Sequence, residues 1–214
     1  MVDRVEMVVF DLGGVLLQMQ GVPAMRRLSG VSSDEELWNR WLTCSWVRRF
    51  ESGACSADSF AEGVVNDWRL PVSPAAFLEQ FRSWPTGPLP GAESLVREAM
   101  ARVPVACFSN TNALHWNDHL REWPLVRLFE THFLSFEIGS LKPDRRAFDH
   151  LAGAVGPSPD RVLFLDDNTA NVDGALASGF SAVRVSGVDE ARQALVTAGV
   201  LDGSGAHLVP DLPG

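Results

Sequence analysis

The 214-residue chain has almost no lysine: of its 18 lysine and arginine residues, only Lys142 is a lysine. Cysteine is scarce as well. Cys44, Cys55 and Cys107 form no CxxC pair, and three unpaired positions are a poor disulfide framework, which leaves them as core filler. No apolar run approaches the ~20 residues that a bilayer-spanning helix needs. The first residues, with Asp3 and Glu6, lack a signal-peptide pattern. Together these absences predict a cytoplasmic protein with no membrane association. Excess positive charge is missing too. The formal net charge is −9 at pH 7, which argues against a nucleic-acid partner. An acidic chain that binds an anionic substrate needs local positive charge from a metal, a lysine or backbone N–H groups. There are no internal repeats.

The sequence does carry an ordinary globular composition, 46% hydrophobic and 21% charged, over a length that suits one domain or a core with a modest insert. Five runs read as buried strands: Val5–Phe10, Val103–Phe108, His132–Phe136, Arg161–Leu165 and Ser181–Val185. Helical stretches alternate with them at Ala92–Ala101, Asn112–Arg121, Pro143–Val155, Asn168–Ser178 and Val188–Ala198. Pro143 is read as a first helical residue and Gly179 as a C-terminal cap. This alternation predicts an α/β fold with a mostly parallel five-stranded sheet covered on both faces. Ligands of such sheets sit at the carboxyl ends of the strands. Residues 18–88 break the alternation. They hold Trp38, Trp41, Trp46, Trp68 and Trp84 and read as several helices, with starts near Ser33 and Ser56. They are expected to form an inserted helical module, with core segments 1–17 and 89–200 and a loose tail over 201–214. The segments around Leu16–Gly21 and Pro85–Gly91 would be its hinges.

Polar residues gather at the strand ends. Asp11 ends the first strand and precedes Gly13 and Gly14, where main-chain N–H groups can approach a ligand closely. A carboxylate there can attack phosphorus; taken alone, it is also an ordinary strand-end turn. Ser109-Asn110-Thr111-Asn112 can hold phosphoryl oxygens or cap the next helix. Lys142, in Lys-Pro-Asp, is a compact ammonium able to neutralise a transferring phosphoryl group. Asp166 and Asp167 are adjacent carboxylates at a buried strand end, a costly placement without a cation such as Mg²⁺. Asn168 can cap the following helix. Asn171 and Asp173 lie one turn on, and Asn171 is the better support for the aspartate pair.

Taken in order, Phe10-Asp11-Leu12-Gly13-Gly14, Phe108-Ser109-Asn110, Lys142-Pro143 and Asp166-Asp167 with Asn171 resemble the four motifs of the haloacid dehalogenase-like (HAD) phosphohydrolases. The resemblance implies a Rossmann-like three-layer sandwich with an inserted helical cap of type 1. Phe10-Asp11-Leu12-Gly13, Ser109-Asn110-Thr111-Asn112-Ala113-Leu114-His115 and Asp166-Asp167-Asn168 together look most like the branch containing α-glucose-1-phosphate phosphatase. The resemblance also implies a Mg²⁺-dependent phosphatase acting on a small phosphorylated metabolite, a sugar phosphate, through an aspartyl-phosphate. Asp11 would be nucleophile and metal ligand. The Gly13 carbonyl and Asp166 or Asp167 would complete the metal site. Ser109, Asn110, Lys142, Leu12 and Gly13 would hold the phosphoryl group. A monomer or homodimer is expected.

One position departs from that pattern. The family's phosphatases usually carry a second aspartate two residues after the nucleophile, as general acid and base. Here it is Gly13. His115 and the cap residues Arg48, Arg49 and Glu51 are the candidate substitutes, with water alone as another answer. His115 and His119 also stand at a zinc-like spacing without a third ligand. Two other readings stay open: a metal-independent dehalogenase using Asp11 on carbon, and a phospho-ligand-binding domain without turnover.

Overall fold

The computed structural model describes residues 5–203. In chain order the elements are β1 (Met7–Phe10), β2 (Leu17–Met19), α1 (Gly21–Ser29), α2 (Asp34–Thr43), α3 (Ser45–Glu51), α4 (Ala57–Trp68) and α5 (Pro74–Arg82). There follow β3 (Pro85–Pro88), α6 (Ala92–Met100), β4 (Val105–Ser109), α7 (Ala113–Asp118), β5 (His132–Leu134), α8 (Ser135–Ile138) and α9 (Arg145–Ala154). The last are β6 (Val162–Asp166), α10 (Thr169–Ala177), β7 (Ser181–Arg184) and α11 (Gly187–Thr197). No described helix is long and apolar enough to cross a membrane.

Strands β5, β4, β1, β6 and β7 lie in that order in one sheet, every pair parallel. These are the five strands expected from sequence, and β1 is central. Its side chains alternate between two buried layers, as a strand's period of two requires. Val8 and Phe10 pack with Leu95 and Val96 of α6 and Leu195 of α11. Met7 and Val9 pack with Phe148 and Leu151 of α9 and Ala175 of α10. Each such side chain contributes roughly 1.5–3 kcal/mol by leaving water. The three-layer α/β sandwich follows from strands that are apolar on both faces.

Between β2 and β3 the helices α1 to α5 bury a separate apolar cluster that includes Trp41, Phe50, Phe60, Phe77, Phe81 and Trp84. Phe81 and Trp84 have ring centroids 4.8 Å apart, and Phe50 stacks on Phe60 at 4.4 Å. Ser33, Ser56 and Ser73 each accept a backbone N–H at the start of α2, α4 and α5, the satisfied helix ends that serine supplies. Cys44 and Cys55 pack against this cluster, whereas Cys107 is buried in β4.

Several expected boundaries move. The segments read as hinges form a two-stranded antiparallel ribbon, Leu17 opposite Pro88 and Gln18 opposite Gly87. The prolines and glycine of β3 mask a strand, but an isolated ribbon leaves its outer edges free, where a missing N–H is tolerated. The strand expected over His132–Phe136 ends at Leu134, because the Ser135 hydroxyl is drawn into bonds with the Glu51 and Thr111 carbonyls. The helix expected from Pro143 starts at Arg145. Pro143 joins Lys142 through a cis peptide, and Asp144 pairs with Arg48 at 2.7 Å instead of capping the helix. Of the tail expected from Leu201, all but residues 201–203 lies outside the described residues.

Candidate active site

Asp11, Ser109 and Asp166 stand at the carboxyl ends of β1, β4 and β6, three adjacent strands. Lys142 enters between them from the loop before α9. It is buried at 2% exposure, with its ammonium over the faces of Phe108 and Phe164, 5.1 Å from each ring centre. All three of its protons are used. Nζ donates to Asp11 Oδ1 at 2.8 Å, to Asp166 Oδ2 at 2.6 Å and to the Phe108 carbonyl at 2.7 Å. The lone lysine and carboxylates from sequence-distant strands therefore meet in one buried cluster.

The supporting bonds divide the work. Asn110 accepts the Lys142 N–H at 2.9 Å and donates to the Lys142 carbonyl at 2.8 Å, so its side chain fixes the lysine loop. Asn171 donates to both Asp166 oxygens, and the Asn168 N–H donates to Oδ1. Asp166 is thus saturated by protein donors. Asp167 accepts no side-chain bond from any described residue and faces the Gly14 turn. Gly14 has φ +74°, and a Cβ there would lie 2.1 Å from Asp167 Oδ2. Only glycine permits both that backbone and that approach. Asp173 is exposed on α10 and takes no part. Asn112 and Asn168 cap α7 and α10, so the capping and ligand-facing readings of these loops hold for different residues.

Asp11, Asp166 and Asp167 offer three oxygens within 4.8 Å of one another, the one such metal-capable group among the described residues. One ammonium cannot balance three carboxylates. Burial, then the charges of Asp166 and Asp167, push the Asp11 carboxyl up to about 8 despite Lys142. Burial and Asp166 push Asp167 up to about 6. Its partners hold Lys142 above its usual range, against the opposing effect of burial. A hard dication with oxygen preference fits this donor set.

The cluster opens into a cavity of about 1020 Å³ between the strand ends and the helical module. Leu12, Gly13, Ser109 and Asn110 line it on the core side. The Leu12 and Gly13 N–H groups and the Ser109 hydroxyl donate to no described residue. Trp38, Trp41 and Trp84 line the opposite wall with Glu35, Asn39 and Glu51. Trp41 and Trp84 are core and wall at once; Trp46 and Trp68 are core only.

The expected substitutes for an acid at Gly13 separate clearly. Arg48 is held by Asp144 and Arg49 stacks on Trp46, its guanidinium 4.8 Å from the ring centre. His115 is buried, its Nε2 bonded to the Phe81 carbonyl at 2.7 Å and its Nδ1 to Asn112. Burial holds it down at about 4, so it is neutral and fully engaged. It ties α7 to α5, and among the described residues it forms no metal-capable group with His119. Glu51 lines the cavity.

A family described as haloacid dehalogenase-like hydrolase matches residues 5–179. A phosphatase of Mycobacterium tuberculosis is 27% identical over 212 residues, covering 92% of this chain and 97% of the relative. A pyrimidine 5'-nucleotidase of Escherichia coli is 27% identical over 143 residues, 64% of this chain and 63% of its own. Among solved structures, a HAD family enzyme of Bacteroides thetaiotaomicron in complex with magnesium and inorganic phosphate gives a TM-score of 0.66 at 20% identity, over 84% of this chain and 93% of its own. The L-2-haloacid dehalogenase of Xanthobacter autotrophicus gives 0.61 at 22%, over 91% and 83%. These two likenesses are of fold. With its strand-end cluster and a family match spanning most of its length, the chain belongs to the haloacid dehalogenase-like hydrolases.

Proposed function

We propose that the protein is a Mg²⁺-dependent phosphatase that hydrolyses a small phosphorylated metabolite through an aspartyl-phosphate on Asp11. The observation that carries this reading is the convergence of Lys142 on Asp11 and Asp166, 2.8 and 2.6 Å away, beside the Asp167 carboxylate. A dehalogenase acting on carbon needs no cation and would gain nothing from three crowded carboxylates.

In this reading Asp11, Asp167 and the Gly13 carbonyl hold the cation, while Asp166 acts through Lys142 and Asn171. When bound, Mg²⁺ neutralises phosphoryl oxygens and keeps the carboxylates ionised. Asp11 attacks phosphorus in line with the leaving oxygen. The Leu12 and Gly13 N–H groups, the Asn110 main chain and the Ser109 hydroxyl receive the phosphoryl oxygens, and Lys142 offsets the charge that develops on them. Water then hydrolyses the aspartyl-phosphate.

Residues 18–88 act as a cap of type 1, on a core of 1–17 and 89–200. Its closure over the strand ends excludes bulk water, and the β2–β3 ribbon limits it to small rotations. A sugar phosphate suits a wall that combines indole faces with Gln18, Glu35 and Asn39, in line with the α-glucose-1-phosphate branch. A second reading, an ester with an apolar or aromatic body, is favoured by Met19, Trp38 and Leu42, which line the cavity yet stay exposed. The setting is cytoplasmic, as a monomer or homodimer.

The test is phosphate release from a panel of sugar, nucleoside, aryl and long-chain alkyl phosphates with Mg²⁺. Wild-type protein is expected to turn over at least one class, while Asp11→Asn and chelated protein turn over none. Halide release from 2-haloacids that survives chelation would reassign the chain as a dehalogenase. Thermal stabilisation by phosphate esters with no product would make it a binding domain.

A further inference from the structure

Gly13 leaves the reaction without its usual proton donor, yet the position is not crowded. Its φ is not in the left-handed region, and a Cβ there would meet only Met19 Cγ, at 3.5 Å. The glycine is therefore not forced by packing.

Four acids line the cavity: Asp11, Asp167, Glu35 and Glu51. The first two belong to the cation cluster. Glu35 is exposed at the start of α2. Glu51 is different. It is the last residue of α3, and its carbonyl accepts the Ser135 hydroxyl at 2.7 Å. The same hydroxyl accepts the Thr111 N–H and shares its one proton with the Thr111 carbonyl, so the end of α3 is fastened two residues from Ser109. Gly53 seals the contact: a Cβ there would lie 2.5 Å from the Phe136 carbonyl. The half-buried Glu51 carboxyl has no hydrogen bond to any described residue. Its backbone is pinned to the core and its side chain is uncommitted.

We propose that Glu51, reaching from the helical module, is the general acid and base of this enzyme in place of the side chain missing at position 13. The proposal rests on the phosphatase reading above. In the first step an Asp11 oxygen bonds to phosphorus as the phosphorus–oxygen bond of the ester breaks, and the departing alkoxide takes the Glu51 proton to leave as an alcohol. In the second, the Glu51 carboxylate takes a proton from water as the water oxygen bonds to phosphorus. The bond from phosphorus to Asp11 breaks, and inorganic phosphate, ionised Asp11 and protonated Glu51 result. Burial raises the Glu51 carboxyl to about 7, against the pull of Arg48 and Lys142, which suits a group that must both give and take a proton near neutrality. A reserve acid on the module also makes catalysis depend on closure, since the site is complete only when α3 sits over it.

The experiment compares wild type, Glu51→Gln and the double variant Glu51→Gln with Gly13→Asp on two Mg²⁺-loaded substrates. One is p-nitrophenyl phosphate, whose leaving group needs little protonation, and the other an alkyl phosphate. Glu51→Gln should lower kcat on the alkyl ester by roughly 10²-fold or more, the range for a lost general acid, and on the aryl ester by well under that. Gly13→Asp should restore part of the alkyl activity. Equal losses on both esters, or a rise in KM without a fall in kcat, would make Glu51 a binding residue and overturn the proposal. So would an unchanged kcat. If Glu51→Gln does not fold, Glu51→Asp keeps the same contrast between the two esters at smaller amplitude. Wild-type protein without Asp11-dependent release on any ester would instead defeat the phosphatase reading itself.

Discussion

Two neighbouring glycines make opposite demands at the residue scale. Gly14 combines φ +74° with a Cβ position 2.1 Å from Asp167 Oδ2, whereas Gly13 has room. Gly14→Ala is expected to lose activity outright and to cost about 1–2 kcal/mol of stability from the left-handed backbone alone. Gly13→Ala should fold as wild type. Paired melting curves check this, and equal melting temperatures would mean that the Gly14 turn relaxes freely. Asn110 makes a similar point. Its amide holds both main-chain groups of Lys142, so Asn110→Ala should weaken catalysis by displacing the ammonium, leaving two buried backbone groups unpaired at about 1–3 kcal/mol each. Phosphate affinity unchanged by this variant, together with a lowered turnover, would fit a bracing role. Direct contact between the Asn110 amide and the ester would instead weaken affinity.

At the scale of elements, the module is joined to the core by few, specific fastenings. One is His115, whose ring stacks on Phe81 at 4.2 Å and bonds the Phe81 carbonyl. His115→Ala should loosen α5 from α7 by about 1–3 kcal/mol, with a larger loss of stability than of core secondary structure. Within the module itself, Gly63 of α4 makes room for Trp46 of α3: a Cβ there would fall 2.1 Å from the Trp46 ring. Helix propensity favours alanine over glycine by about 1 kcal/mol, and overpacking costs about 1–3 kcal/mol. Gly63→Ala is therefore expected to lower the melting temperature, and a rise would show that Trp46 swings aside without loss. What the sequence disclosed follows the same division. Strands such as Val8-Val9-Phe10 are apolar on both faces, and a continuous run announces itself. Carboxylates at their ends stand out because burial makes them expensive. The β2–β3 ribbon stayed hidden because its stability comes from pairing across 68 residues, Gln18 with the Thr86 hydroxyl among others, and its own residues are poor strand formers. The fastening of Glu51 to Ser135 was equally invisible: nothing local marks a serine whose partners lie 84 and 24 residues away.

The whole molecule carries an electrostatic imbalance that its pH response should expose. In metal-free protein the carboxyls of Asp11, Glu51 and Asp167 are raised to about 8, 7 and 6, while in an unfolded chain they ionise near about 4. Across that interval the native state binds protons that the unfolded chain has released, so stability falls as pH rises, by about 1.4 kcal/mol per proton per pH unit. His115 works the other way. It is held at about 4 when folded and titrates near about 6.5 when unfolded, so its contribution rises with pH between those values. Three groups outweigh one below pH 6, and above pH 6.5 only carboxyls remain. In chelator, the melting temperature is therefore expected to decline from pH 5 to pH 8. A bound dication favours the ionised carboxylates and removes the cause of the decline, so the stabilisation by Mg²⁺ should grow with pH. Melts at constant ionic strength at pH 5, 6, 7 and 8, with and without the ion, measure both slopes. A melting temperature that climbs with pH in chelator, or a Mg²⁺ increment that is the same at every pH, would mean that Asp11 and Asp167 are already ionised unaided; no increment at any pH would mean that the cluster holds no Mg²⁺.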